Sequence, residues 1–358
     1  MPRDAKPGTY TGTIIVDGGG SRESIPVSVL VLPVALPPVP IPMGLFLNAL
    51  PFDKRYVDEA TWWRLQESLL AEQGNAGLNA PTGGTGLELS FTDDGSAIVG
   101  DDALRYLELA KRYGMDRAVG AYGGFLSAPR GEVATRAAQT LQAFEAQHHL
   151  PPLYVNIYDE PNHHEERVAA IARLKPLTDA GLRTTGYTSA HWDDPEWVEV
   201  VANSYAPAFN VHDRGLFARV KAMGKHPWIY NNPRDRFGYS VDLWRQIRLG
   251  CEGRLDWIGN YVQGFAFSNL DGREPSTAFF AIHRDLGVLR TPRWLAAREG
   301  LLDLRLRLAL ESVAPAGDAA LEHWTTDAYR TDTARWTPAE LDRVRAVMLK
   351  RLQELRPR

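Results

Sequence analysis

The chain alternates short apolar strands with amphipathic helices, and this order restricts its fold more than any other feature. From residue 43 onward the pattern of a strand followed by a helix is predicted eight times. Such alternation is typical of parallel sheets, in which each crossover helix returns the chain to the same end of the sheet. The sequence therefore predicts an α/β fold, a (β/α)8 TIM-like barrel. An open doubly wound sheet is the alternative.

The predicted barrel strands share β-branched and aliphatic residues bounded by polar or turn residues. They cover residues 43–48, 78–84, 117–123, 153–159, 183–189, 204–212, 227–232 and 255–262. The helices between them are predicted over residues 58–73, 101–113, 132–148, 165–180, a short stretch from 195, 214–223 and 241–249.

Two further strands precede this pattern. Residues 8–32 alternate apolar and polar side chains on both sides of a triple-glycine turn, which is typical of a β-hairpin. The run that begins at Pro7 resembles the closing hairpin of immunoglobulin-like sandwich modules. We expect four regions, of which the first is the truncated remnant of a β-sandwich and the second a proline-rich linker. The regions are 1–33 (sandwich remnant), 34–42 (linker), 43–310 (barrel) and 311–358 (C-terminal helical extension).

Composition excludes several classes of function. A formal charge of −4 and an isoelectric point near 6.2 give no reason to expect nucleic acid or an anionic membrane as a partner. Cys251 is the only cysteine, so an intramolecular disulfide is excluded and we interpret the thiol as structural. The first twenty residues lack the pattern of a signal peptide. The localisation stays open: extracellular or periplasmic if the N-terminus is truncated, cytoplasmic otherwise.

The fourth predicted strand ends in two adjacent carboxylates, Asp159 and Glu160, which are followed by Pro161. Proline cannot continue the ladder, so the pleat breaks there and the two acids need not point to opposite faces. The pocket of a barrel enzyme is built at the carboxyl ends of its strands. Two acids that converge there are what acid-catalysed cleavage of a sugar acetal requires. The alternative is that the carboxylates cap the next helix.

Amides and aromatic rings predominate at the other strand ends, where no lysine and no arginine cluster is found. Such residues suit an uncharged ligand rich in hydroxyl groups better than a phosphorylated one. The predicted substrate-binding residues are Asn48, Tyr122, Tyr187, Asn210, His212, Tyr230, Asn232, Trp257 and Tyr261. We predict no cofactor and no metal site, because the adjacent His163 and His164 would face different directions on a helix start.

Retaining glycosidases with barrel folds place a carboxylate nucleophile after the seventh strand, but the run 227–232 ends without one. The nearest candidate, Glu252, falls beyond the following helix. A 2-acetamido group on the sugar can replace the nucleophile, because its carbonyl oxygen can attack the anomeric carbon. We expect Asp159 to stay ionised and hold the amide N–H. Its charge would keep Glu160 protonated as the general acid.

Two runs carry a resemblance to a known family: Tyr158-Asp-Glu-Pro161 and Thr291-Pro-Arg-Trp-Leu-Ala-Ala-Arg-Glu-Gly-Leu-Leu-Asp303. Both runs resemble glycoside hydrolase family 123, the bacterial β-N-acetylgalactosaminidases. The similarity to this family spans roughly residues 8–310. The resemblance implies removal of non-reducing-end β-linked N-acetylgalactosamine by a retaining, substrate-assisted mechanism. Asp159 would orient the acetamido group, and Glu160 would be the acid/base. The implied partner is an oligosaccharide with a terminal N-acetylhexosamine.

Two alternatives remain from the sequence. One is another glycosidase, of the inverting kind, with Glu160 as the acid and Asp213 or Asp271 as the base. The other is a carbohydrate-binding barrel without turnover. Homo-oligomerisation is left open, as is galacto against gluco specificity.

Overall fold

A computed structural model describes residues 5–47, 57–82, 89–121, 131–189, 191–210, 215–231, 235–257, 259–260, 278–283, 285, 287–324 and 336–355. The chain divides into two compact units. The larger runs from Pro38 to Leu304, and the smaller combines the chain up to Pro37 with the chain from Arg305 onward.

Strands and helices follow the predicted alternation. The strands are β1 (Gly8–Gly18), β2 (Ser21–Val31), β3 (Met43–Leu45), β4 (Leu89–Phe91), β5 (Ala97–Val99), β6 (Val119–Ala121), β7 (Leu153–Asp159), β8 (Thr184–Thr188), β9 (Ala206–Phe209), β10 (Trp228–Ile229), β11 (Gly253–Asp256), β12 (Phe280–His283) and β13 (Gly287–Arg290). The helices are α1 (Glu59–Ala76), α2 (Ala103–Arg112), α3 (Val133–Gln147), α4 (His164–Asp179), α5 (Pro195–Asn203), α6 (Leu216–Ala222), α7 (Val241–Leu249), α8 (Pro292–Glu311) and α9 (Pro338–Leu355).

The central sheet is parallel and closes on itself. Within the described residues it has seven strands in the order β3-β11-β10-β9-β8-β7-β6. The chain segment after α1 forms hydrogen bonds with both outer strands of this sheet, β3 and β6. The Ala80 N–H donates to the Met43 carbonyl at 3.0 Å, and the Gly120 N–H donates to the Pro81 carbonyl at 3.0 Å. Hydrogen bonds therefore pass round the whole ring, and the predicted α/β barrel is confirmed.

Aromatic rings fill the interior of this barrel. Phe46, Tyr187, Trp228 and Tyr230 belong to one buried cluster. Glycine makes room for the largest ring: a Cβ on Gly253 would lie 2.2 Å from the Trp228 indole. Truncating a buried aromatic side chain typically costs about 3–5 kcal/mol of stability. One cavity lies at the end of the barrel where the strands finish.

A buried ion-pair network lies on the outer side of β11. Arg254 Nε contacts Asp256 Oδ2 at 2.8 Å, and neither side chain is exposed to solvent. The Tyr239 hydroxyl donates to the same oxygen at 2.6 Å. Nearby, Asp242 accepts a hydrogen bond from Gln246 Nε2 at 2.6 Å. Burial raises the pKa of Asp242 to about 6.

In the smaller unit, β1 and β2 pair antiparallel from Gly8 opposite Val31 to Gly18 opposite Ser21. Gly19 and Gly20 form the turn with φ values of 60° and 80°. Positive φ at both central residues gives a hairpin turn whose twist matches that of the strands. The two predicted strands are therefore present. Among the helices that the structure describes, none is long and apolar enough to cross a membrane.

Candidate active site

A bulge in β7 decides which way its last side chains face. The pairing of β7 with β8 shifts register between Asn156 and Tyr158. Tyr158 packs its ring over Gly186, where a Cβ would lie 2.4 Å away, and its hydroxyl lies 3.1 Å from Ser204 Oγ after α5. Tyr158 therefore faces the helices outside the barrel. Since side chains alternate along a strand, Asp159 faces the inside.

Glu160 joins Asp159 on the same side through an unusual backbone conformation. The next residue of a regular strand would face outward again. Glu160 instead has a φ of 40°, in the left-handed region that non-glycine residues rarely adopt. Its N–H donates to the Tyr187 carbonyl at 2.9 Å, which holds this turn against β8. Backbone strain of this kind costs on the order of 1–3 kcal/mol and is concentrated at functional sites.

Both acids line a cavity of about 300 Å³ at the carboxyl ends of the strands. This volume is at the lower end for small-molecule sites. The other walls are mostly aromatic: the Tyr187 and Tyr230 rings are 4.7 Å apart, and Phe46 meets Tyr187 edge-on at 5.5 Å. The residues that line it are Phe46, Asp159, Glu160, Tyr187, Tyr230, Asn231 and Trp257.

Tyr230 orients one of the acids. Its hydroxyl donates to Glu160 Oε1 at 2.5 Å. Burial, followed by this hydrogen bond and the negative charges of Glu160 and Asp159, raises the pKa of Tyr230 far above its usual range. The phenol therefore remains a hydrogen-bond donor at any physiological pH. Among the residues that the structure describes, Oε1 is thus the oxygen of Glu160 that is engaged in a hydrogen bond, and Oε2 is the oxygen that can react.

Arg167 supports the chain just beyond the acids. Its Nη1 donates to the Asn162 carbonyl at 2.8 Å, and its Nε donates to Glu196 Oε2 at 2.8 Å. The Arg167 side chain is only 13% exposed, whereas that of Glu196 is 30% exposed. His164, on the same helix, contacts Glu196 through Nδ1 at 2.5 Å. These contacts link the loop after β7 to the start of α5.

The cavity includes some of the predicted binding residues. Tyr187, Tyr230 and Trp257 line it together with the two acids. Asn210 does not line it, and its Oδ1 accepts a hydrogen bond from Ser189 Oγ at 3.3 Å. Five predicted binding residues lie outside the described residues: Asn48, Tyr122, His212, Asn232 and Tyr261. The alternative bases Asp213 and Asp271 also lie outside them.

Phe46 lines the cavity although it was not predicted, and Asn231 lines it within the predicted strand end Tyr230–Asn232. The strand that we expected to reach residue 48 ends its pairing at Leu45, so Phe46 is the first side chain beyond it. Asn231 stands between the predicted Tyr230 and Asn232. An asparagine after a strand was the available signal, because Asn tolerates a left-handed backbone better than most residues.

Chemistry outside the cavity is limited in the part of the chain that the structure describes. There, no cluster of His, Cys, Asp and Glu side chains is arranged to hold a metal ion. The Cys251 thiol donates to the Gly253 carbonyl at 3.2 Å, and burial raises its pKa to about 12. A thiol in this state is a poor nucleophile.

The fold and the cavity define an α/β-barrel protein with a two-carboxylate, aromatic-lined site. No family model matches the chain, and no curated protein matches its sequence. A solved structure of a glycosyl hydrolase family 2 member from Bacteroides cellulosilyticus DSM 14838 is 13% identical with a TM-score of 0.40, covering 80% of this chain and 37% of that one. The chain thus spans little more than a third of that protein.

Two other solved structures cover more of their own length. A family 39 glycoside hydrolase from the gut symbiont Bacteroides cellulosilyticus WH2 is 11% identical with a TM-score of 0.45, covering 83% of this chain and 71% of that one. A truncated 3-deoxy-D-arabino-heptulosonate 7-phosphate synthase from Thermotoga maritima is 10% identical with a TM-score of 0.36, covering 84% and 92%. At such identities and TM-scores the likeness carries no argument about the reaction, which has to be argued from the site.

Proposed function

We propose that the protein is a glycoside hydrolase that acts on sugars with a 2-acetamido group. One observation carries the proposal: two adjacent acids share a cavity in which the residue after β10 is a tyrosine, Tyr230, and not a carboxylate. Retaining enzymes with a protein nucleophile need two carboxyl groups about 5–5.5 Å apart on either side of the scissile bond. Acids that follow one another on a single strand suit a different division of roles.

Glu160 is the acid/base in this proposal. It is exposed to the cavity, and Tyr230 holds its Oε1, so Oε2 is the atom that gives a proton to the leaving oxygen in this mechanism. As the bond between the anomeric carbon and that oxygen breaks, the oxygen takes the bond's electron pair and the proton of Glu160. In the second step the Glu160 carboxylate takes a proton from the attacking water.

Asp159 holds the attacking group of the substrate. Its carboxylate accepts the acetamido N–H, which turns the carbonyl oxygen towards the anomeric carbon. The carbonyl oxygen forms the new bond and yields a cyclic oxazolinium ion. The negative charge of Asp159 stabilises this cation. Water then opens the ring at the anomeric carbon, so the product retains its configuration and the acetamido group is regenerated.

We further propose terminal β-linked N-acetylgalactosamine as the natural sugar. This narrower statement rests on the resemblance of the run Tyr158–Pro161 to family 123 and not on the geometry of the cavity.

A panel of chromogenic substrates tests the proposal. It compares 4-nitrophenyl β-N-acetylgalactosaminide, β-N-acetylglucosaminide and β-galactoside at equal concentration. We expect release from one or both acetamido sugars at least about 100-fold faster than from the galactoside, which lacks the attacking group. Hydrolysis of the galactoside at a comparable rate would contradict the mechanism. Faster release from the glucosaminide than from the galactosaminide would contradict only the choice of sugar.

A further inference from the structure

Asn231 occupies the point at which the chain leaves β10. It has a φ of 49°, in the left-handed region, and its side chain lines the cavity. Its Oδ1 accepts the backbone N–H of Trp257 at 2.8 Å. One side chain of the cavity wall thus links the ends of two neighbouring strands, β10 and β11.

This contact determines which way round the amide lies. A backbone N–H can only donate, so the atom facing Trp257 has to be the oxygen of Asn231. Nδ2, with its two protons, then points away from that contact. Among the residues that the structure describes, Oδ1 is the atom of the Asn231 side chain that is engaged in a hydrogen bond.

A hydrogen-bond donor would complement the other polar groups of the cavity. Its two carboxylates can accept hydrogen bonds, and Glu160 when protonated gives its proton to the leaving oxygen. The proton of the Tyr230 hydroxyl is directed at Glu160. The hydroxyl and carbonyl oxygens of a sugar accept hydrogen bonds, and sites built to bond a polar group discriminate strongly against ligands that lack it.

We propose that Asn231 is a substrate-binding residue with two contacts: Nδ2 donates to an acceptor oxygen of the sugar, while Oδ1 holds the backbone of Trp257. The Trp257 ring lines the same cavity and is half-buried. A single amide would therefore set both a polar contact and the place of an aromatic wall. This assignment rests on the proposed function, since it takes the ligand to be a sugar.

Two substitutions at this position separate the two contacts. Asn231→Asp keeps an oxygen for Trp257 but presents a second oxygen in place of the donor. Asn231→Gly tolerates the backbone conformation and removes both contacts. Binding of N-acetylgalactosamine, N-acetylglucosamine and galactose is measured by calorimetry in full-length protein that also carries Glu160→Gln, so that catalysis does not interfere. Asn203→Asp, at the end of α5, controls for the added negative charge.

We expect both Asn231 variants to weaken binding of the preferred sugar about tenfold or more, the usual worth of a hydrogen bond in a desolvated site. Asn203→Asp should bind as the parent does. Equal affinity of Asn231→Asp and the parent would overturn the inference, and this holds even if Asn231→Gly fails to fold. If the parent binds none of the three sugars, the proposed function fails together with the inference. If the parent binds and only Asn231→Gly is weakened, the inference alone fails.

Discussion

The barrel wall carries two groups of acidic side chains, and they differ in what they face. At the end of β7, Asp159 and Glu160 are exposed to the cavity, and Glu160 is held by the hydroxyl of Tyr230. At the end of β11, Asp256 is fully buried on the outer side and pairs with Arg254 at 2.8 Å. Both strands end in acid, so the residue type at a strand end does not decide whether it can react.

Whether the acid can react is decided by the direction of its side chain and by the group that it contacts. Asp256 is buried beside the permanent cation of Arg254. Removing one partner of such a buried pair is strongly destabilising, because the other loses its compensating charge. An acid on a cavity beside a neutral hydroxyl keeps an oxygen for a ligand. The buried group at the end of β11 should therefore control stability, and the cavity group at the end of β7 should control turnover. Four predictions test this comparison.

The largest expected effect is on the buried side. Arg254→Met removes the cation beside the buried Asp256, and we expect it to lower the free energy of unfolding by about 3–5 kcal/mol. Urea denaturation followed by tryptophan fluorescence measures this. Glu160→Gln should change the same quantity by less than about 1 kcal/mol, the range usual for exposed positions. A loss below 1 kcal/mol in Arg254→Met would remove the contrast between the two groups.

Next in size is the loss of turnover on the cavity side. Glu160→Gln and Asp159→Asn should each lower kcat at least about 100-fold, the usual worth of acid–base help. The matched control is Glu165→Gln, which changes an exposed acid in the first turn of α4. It should keep the parental rate on the same chromogenic substrate. Full activity in either cavity variant would exclude that residue from the mechanism.

The third effect is a pH dependence of stability, and it arises from Asp242 in the buried network around Arg254. The pKa of Asp242 is raised from 3.8 to about 6, so ionisation of this group costs stability as the pH rises through that window. Asp242→Asn removes the cost. Relative to the parent, the variant should gain on the order of 2–3 kcal/mol between pH 4 and pH 7. Denaturation curves at both pH values measure it. A constant difference would show that Asp242 titrates normally.

The smallest expected effect concerns Tyr230, whose hydroxyl orients Glu160. Tyr230→Phe removes the hydroxyl that orients Glu160 but keeps the ring, so we expect kcat to fall about tenfold, in the range of one hydrogen bond. KM and stability should change little, because packing is preserved. Steady-state kinetics at several pH values separate the two parameters. An effect on KM alone would assign Tyr230 to binding.

Much of the architecture follows from the sequence. The strand and helix order predicted a closed parallel barrel, and the glycine turn predicted the hairpin, because both patterns are local and periodic. Strand ends were less accurate: β11 ends at Asp256, and the strand was expected to run to residue 262. Where pairing stops depends on the neighbouring strand, which local pattern does not reveal.

The direction of individual side chains needed the structure. Pro161 indicates that the pleat breaks after the acids, but the bulge before Tyr158 and the left-handed Glu160 arise from pairing with β8. The outward direction of Asp256 likewise depends on its register with Leu45 in β3. A shift of one residue would exchange inner and outer side chains, so the same sequence pattern is compatible with either face.

The central claim is that the substrate supplies the attacking atom. A series of 4-nitrophenyl β-N-acetylgalactosaminides with zero, one, two or three fluorines on the acetyl methyl group tests it most directly. Fluorine withdraws electrons from the carbonyl oxygen without changing the leaving group. We predict that kcat falls steeply with each fluorine. A rate that stays level across the series would contradict the claim, because the attacking atom would then belong to the protein or to water.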